Sequence, residues 1–225
     1  MNFKDLQIVF SKARVQKYVR ACGGDKRKAM RLYQYNARLS QDFYGVLSVF
    51  EIVLRNAIND HYLTNLGKDW IVTQAKPSGL LEHEAVEVRS TEAAYKKEGV
   101  YSHDKMVGSF TFGFWTYLFT KRNYKVGGKT LLQIFPMRPK GTTQKSVYSD
   151  ITAIREFRNR VAHHEPICFD KTGNVSTIYM QKHYQLMKDY LKYMGWNADD
   201  ILQVVNRPNK GLEKVENLRK EVEKV

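Results

Sequence analysis

Along the whole of this 225-residue chain, apolar residues return every three or four positions, and alternating β-branched runs closed by tight turns are nearly absent. That period predicts an all-α protein. A first helix is expected over about 5–22, stopped by Gly23-Gly24, after which Asp25 caps a basic helix carrying Lys26, Arg27, Lys28 and Arg31. Ser40 opens the next helix. It should reach about residue 66, before Gly67, because Phe43, Leu47, Phe50, Leu54, Ala57 and Ile58 share one stripe. Pro77 and Gly79 break the chain ahead of a polar helix over about 80–97, and the stretch 106–119 is apolar enough to be interior. Residues 122–144, with their Gly and Pro, read as loops around one short helix. A helix over about 144–165 is closed by Pro166, and helices near 178–194, 199–205 and 212–224 complete the chain.

Hydrophobic residues make up 43% and aromatics 12%, too much core material for a disordered basic tail. With no internal repeat and no composition break, the expectation is a single helical domain over 1–225 whose charge-laced end, 197–225, is a solvated cover. Against 37 basic residues stand 23 acidic ones, a net charge of +14, and an excess of that size points to an anionic partner, nucleic acid first. No apolar run approaches the roughly 20 residues that cross a bilayer, and the start Met-Asn-Phe-Lys-Asp lacks a signal-peptide core, so a cytoplasmic protein without membrane contact is expected. Cys22 and Cys168 fit no metal-ligand or redox spacing and are expected to be reduced and structural.

Chemistry concentrates in Ile154-Arg155-Glu156-Phe157-Arg158-Asn159-Arg160-Val161-Ala162-His163-His164-Glu165-Pro166-Ile167. With Val147 at 0° on a helical wheel, Ile151, Ile154 and Val161 fall at about 40°, 340° and 320°, and Arg158 falls among them at about 20°. An unpaired cation on that seam would be costly. Arg158 therefore needs a buried carboxylate, a cleft or a second subunit. Arg155, Asn159 and His163 form a polar edge beside it, at about 80°, 120° and 160°. On spacing alone, cations favouring the C-terminal dipole, with Arg158 in a buried ion pair, explain the block better than a site does.

A second constellation, Arg55-Asn56-Ala57-Ile58-Asn59-Asp60-His61, reads more simply as a core histidine beside a Glu51–Arg55 pair, with Glu51 the best partner for Arg158 or Arg55. Adjacent histidines point about 100° apart on a helix, so His163-His164-Glu165 does not suggest a metal, and no cofactor is expected. The aromatics from Phe110 to Phe119 read as core. The clusters Lys26, Arg27, Lys28, Arg31 and Lys121, Arg122, Lys125, Lys129 are the candidate RNA-contacting surfaces.

Arg158-Asn159-Arg160-Val161-Ala162-His163 resembles the arginine, polar residue, variable positions and histidine signature of the HEPN superfamily of ribonucleases and nucleotide-binding domains. It stands in order behind Phe50-Glu51-Ile52-Val53-Leu54-Arg55-Asn56-Ala57-Ile58, Phe112-Gly113-Phe114-Trp115-Thr116-Tyr117-Leu118-Phe119 and Ile134-Phe135-Pro136. That series resembles the Abi-like abortive-infection family of bacteria over about 40–167. The resemblance implies a HEPN-like helical bundle and metal-independent RNA cleavage, in which the 2′-hydroxyl attacks the adjacent phosphate. It also implies a toxin role in phage defence or a toxin–antitoxin locus, restrained by a small RNA or protein antitoxin. Arg158, Asn159 and His163 take the catalytic positions, with Arg155, His164, Glu51 and Arg55 in support. In-line transesterification works best with a base and an acid, and one convincing histidine per chain then argues for a homodimer with a composite site. The alternative on the same fold is a non-catalytic RNA-binding or protein-interaction module.

Overall fold

The computed structural model describes residues 2–223. Among them are twelve α-helices and no β-strand, so the chain is all-α. The helices are α1 (Phe3–Phe10), α2 (Lys12–Ala21), α3 (Lys26–Leu66), α4 (Trp70–Gln74), α5 (Ala85–Lys97), α6 (His103–Ser109), α7 (Phe112–Tyr117), α8 (Lys121–Val126), α9 (Gln144–Ala162), α10 (Ile178–Tyr193), α11 (Ala198–Ile201) and α12 (Asn209–Glu223). Tighter helical turns cover Leu131–Ile134 and Leu202–Val204. None of these helices is long and apolar enough to cross a membrane.

The helix expected over 5–22 is two helices. Ser11 breaks it with φ 68° and ψ 144°, ending α1 and capping α2 through its hydroxyl, which accepts from the Arg14 backbone N–H at 3.3 Å. Ser40, expected to start a helix, instead lies inside α3, which runs 41 residues without a break. No proline or glycine interrupts residues 26–44, and Leu32, Leu39, Phe43, Val46 and Leu47 hold one buried stripe through Ser40. Asp25 does cap this helix, accepting from the N–H groups of Arg27 and Lys28. The polar helix begins at Ala85 rather than near 80, residues 121–134 hold one short helix and a tighter turn, and α9 stops at Ala162, before Pro166. The expected last position of the final helix, Lys224, lies outside the described residues.

The chain divides into two compact units. The first draws on Met1–Ser48, Phe157–Leu186 and Asp199–Val225. Its core sets Phe43 edge-on to Phe157 at 5.0 Å, with the His183 ring stacked on Phe157 at 4.9 Å, and packs Tyr18 between Tyr33 and Phe169. Helix α12 closes against α3 so tightly at Gly211 that a Cβ there would stand 2.6 Å from Leu39. A glycine inside a helix is unfavourable by itself, and this approach is its reason.

The second unit, Val49–Glu156 with Met187–Ala198, is built on the apolar stretch that was expected to be interior. Phe110, Phe112, Phe114, Trp115, Leu118 and Phe119 are all buried. Trp115 packs near Trp70, and the Tyr190 hydroxyl donates to Asp150 at 2.9 Å. Asn59 is buried. Its Oδ1 accepts from Trp70 Nε1 at 2.9 Å and from His103 Nε2 at 2.7 Å.

The backbone of Ser11 sits where glycine is comfortable and other residues are strained by roughly 1–3 kcal/mol. Ser11→Gly relieves that strain and loses only a few tenths of a kcal/mol of capping, against roughly 0.5–1 kcal/mol of added chain entropy. It should leave stability unchanged or raised by up to about 1 kcal/mol. Ser11→Ala keeps the strain and loses the cap, lowering stability by about 1 kcal/mol. Urea unfolding of the two variants orders them; equal stabilities would contradict the strained-cap account.

Candidate functional site

Helix α9 carries Arg155, Arg158 and Asn159 and then closes itself with a paired turn. The His164 N–H donates to the Val161 carbonyl at 3.1 Å and the Glu165 N–H to the Arg160 carbonyl at 2.9 Å. Such a turn needs its pivot in the left-handed region, normally a glycine. Here the pivot is His164, with φ 57°.

Three side chains hold the turn in place. The Arg160 guanidinium donates to the Pro166 carbonyl at 2.7 Å, reaches the Glu165 carboxylate at 3.3 Å and lies 4.7 Å over the Tyr179 ring. Asn36 of α3, only 4% exposed, accepts from the N–H groups of Ile167 and Cys168 at 2.9 and 3.2 Å. From α2, Arg14 Nη2 donates to the carbonyl of His164. A carbonyl that would be an orphan at a helix end is thereby satisfied by a cation.

These contacts form one wall of a cleft of about 1080 Å³ inside the first unit. Arg158 lines it from α9, His164 from the turn beyond, Asn36, Ser40 and Tyr44 from α3, Ser11 from the break between α1 and α2, and Arg14 from α2. Apolar side chains that stay accessible also line it: Ile8 is 72% exposed, Val9 64% and Tyr44 57%. Arg14 Nε is buried with no hydrogen-bond partner. A cleft that joins two guanidinium groups and an imidazole to an apolar wall suits a ligand with phosphate at one end and a flat or apolar group at the other.

Of the positions chosen from the sequence, Arg158 and His164 meet in the cleft, whereas Asn159 and His163 are exposed and do not line it. Arg155 belongs to the second unit, where its Nη1 donates to Thr116 Oγ1 at 3.2 Å. Glu51 and Arg55 are half-buried on α3, also in the second unit. His61 is half-buried there, its Nε2 3.0 Å from Thr130 Oγ1, and burial holds its pKa below the usual histidine value.

Both basic clusters are partly consumed by the protein's own acids. Arg31 is bidentate to the Glu221 carboxylate at 3.0 and 3.2 Å, and Lys28 donates to the Glu221 carbonyl. Arg122 pairs with Glu82, while Lys26, Arg27, Lys121, Lys125 and Lys129 remain exposed. Among the described residues no three of His, Cys, Asp and Glu gather as a metal ion would need. Cys22 and Cys168 are unbonded and buried. Burial pushes the Cys22 thiol up to about 11 and Cys168 higher still, so neither is a nucleophile at neutral pH.

Arg14, Asn36 and Tyr44 were not singled out in the sequence. A signal was present for Arg14: α2 holds Lys12, Arg14, Lys17 and Arg20 with no acidic residue in its ten positions. No family model, curated protein or solved structure matches the chain.

Removing the Asn36 amide would strand two buried N–H groups, each costing about 1–3 kcal/mol. Asn36→Ala should therefore lower unfolding stability by about 2–4 kcal/mol. A urea midpoint within error of the parent protein would remove Asn36 as the anchor of the cleft wall.

Proposed function

We propose that this protein is a metal-independent endoribonuclease of the HEPN kind, acting as a toxin in phage defence or in a toxin–antitoxin pair. The observation that carries the reading is the convergence of Arg158, His164 and Arg14 on one cleft. Cleavage by transesterification forms a bond from the ribose 2′-oxygen to phosphorus and breaks the bond from phosphorus to the 5′-oxygen. One proton leaves the 2′-hydroxyl and another arrives on the departing oxygen, while negative charge builds on the two remaining phosphate oxygens.

An imidazole titrates near neutrality and serves either proton transfer, and guanidinium forks match paired phosphate oxygens. His164 is assigned the proton transfer, since it shares the cleft with Arg158, and Arg158 with Arg14 the phosphate charge. His163, the residue first expected in this role, is assigned to the rim. A binding-only module remains the second reading, favoured by the exposed apolar wall of Ile8, Val9 and Tyr44, which holds an RNA base or a partner protein equally well.

Because His164 occupies a glycine-like backbone position, His164→Gly separates chemistry from stability. It should fold with stability equal to or slightly above the parent, yet cut RNA about 10²–10⁴ times more slowly. His163→Ala should lose less than about tenfold. The products should carry 2′,3′-cyclic phosphate ends, and chelator should leave the rate unchanged. Wild-type cleavage by folded His164→Gly protein would sink this assignment, and a folded parent protein that binds RNA without cutting it would leave the binding module.

Two proton transfers and one cleft imidazole per chain favour a symmetric pair of chains that share their histidines. Excess His164→Gly chains should then poison the parent activity in a mixing titration, with sedimentation reporting a dimer at the same concentration. Activity that falls only in proportion to dilution would mean that each chain cuts alone.

A further inference from the structure

A second groove, of about 960 Å³, lies on the other flank of α2 and is lined by Lys12, Gln16, Lys17 and Arg20 opposite the turn Thr172–Asn174. On the wheel of α2 the buried Val15, Tyr18 and Val19 occupy about 240–340°, and Lys12, Lys17 and Arg20 occupy about 0–140°. Arg14, at about 200°, reaches the first cleft from the far border. One helix thus supplies cations to both depressions, and both lie in the first unit.

The groove's charge is not neutralised from within. No ion pair among the described residues engages Lys12, Lys17 or Arg20, in contrast to Arg31 with Glu221 and Arg122 with Glu82. The acid beside the facing turn is occupied by its own loop. Asp170 Oδ1 accepts from the Thr172 N–H at 2.9 Å, the Thr172 hydroxyl at 2.6 Å and the Asn174 N–H at 3.0 Å. Lys17 is steadied in the groove by the Phe169 ring, 4.9 Å from its ammonium.

From Lys12 to Arg20 is about 12 Å along the axis, a span too long for one phosphate group and long enough to meet several successive phosphates of one strand. We propose that α2 is a phosphate rail, which carries the backbone of a bound RNA strand from the Arg158–His164 cleft past Arg14 into the Lys12–Arg20 groove. The inference rests on the reading of that cleft as an RNA site, and it adds a binding surface that neither basic cluster found in the sequence supplies. The chemistry recognised is a chain of regularly spaced phosphates and not a single anion, because the cations are strung along an axis and do not converge on a point.

The test uses the full chain and a fluorescent 2′-O-methyl RNA of about twelve nucleotides, which cannot be cleaved, so binding is read apart from catalysis. Anisotropy is followed from about 50 to about 200 mM salt for the parent, for the triple variant Lys12→Ala, Lys17→Ala, Arg20→Ala, and for a charge-matched control, Lys210→Ala, Lys214→Ala, Lys220→Ala. All six are exposed positions, so folding is not at stake. At about 0.7 of salt slope per phosphate on a single strand, losing three contacts should flatten the log–log slope by about 2 and weaken low-salt binding at least about tenfold. The control should shift affinity less than about threefold. A rail variant that behaves like the control overturns the proposal. So does equal displacement of the RNA by polyglutamate, which would make α2 a general acidic-protein surface. A parent protein that binds this probe through α2 but leaves cleavable RNA intact refutes the nuclease reading and keeps the rail.

Discussion

Asn36 accepts two backbone N–H groups in a place closed to water, and the path of the chain beyond α9 follows from that pair of bonds. A buried donor without a partner costs more than a typical hydrogen bond gains, so Ile167 and Cys168 have one low-energy position and α3 dictates it. From Ala162 to that position the chain makes a short reversal of direction. The reversal puts His164 at its pivot, on the rim of the cleft that Asn36 itself lines. Core satisfaction and site geometry are therefore set by the same amide.

A glycine would make the reversal without strain, and the chain uses a histidine. Its left-handed backbone carries roughly 1–3 kcal/mol of strain, offset by the paired helix-end bonds, by Arg14 on its carbonyl and by Arg160 across the turn. Strain retained where a simpler residue would remove it is a reason to look for chemistry in the side chain. Two of the block's three arginines then divide their work. Arg160 is spent on the turn, and Arg158 lines the cleft.

Much of the fold was legible because its signal is periodic. The buried stretch 106–119, the Asp25 cap, the stop at Gly67 and the core of α9 all follow from apolar spacing and end residues. The break at Ser11 was not, since a serine with φ 68° has no signature apart from the tertiary contacts that hold it there. Ser40 misled for the opposite reason: a good capping residue caps only when the helix has cause to start, and the stripe from Leu32 to Leu47 ran straight through it. Asn59 was hidden because its partners, Trp70 and His103, are distant in sequence and give no local pattern. At the site, Arg158 was placed on a seam that needed something to face, and it lines a cleft. That His164 and not His163 lines the cleft depended on α9 ending at Ala162, a matter of a few residues that periodicity does not resolve.

The ionisable groups beside Arg14 explain why its charge is left for something outside the chain. Tyr18 packs next to it, and burial raises the Tyr18 hydroxyl well above the ordinary tyrosine range even though Arg14 pulls the other way. Cys168, coupled to the same hydroxyl, is raised by burial as well, and Cys22 likewise. Tyrosine and cysteine are neutral at pH 7 even when unperturbed, and burial takes these three further from ionising, so none of them supplies Arg14 with a counter-anion. Arg14 meets only dipoles from within: the His164 carbonyl on one nitrogen and no partner on Nε. Along the same helix no ion pair among the described residues engages Lys12, Lys17 or Arg20. Four of the chain's 37 basic residues, Lys12, Arg14, Lys17 and Arg20, stand on this one ten-residue helix with no acid among them, and they line two clefts, a local excess of positive charge that suits an anion supplied from outside.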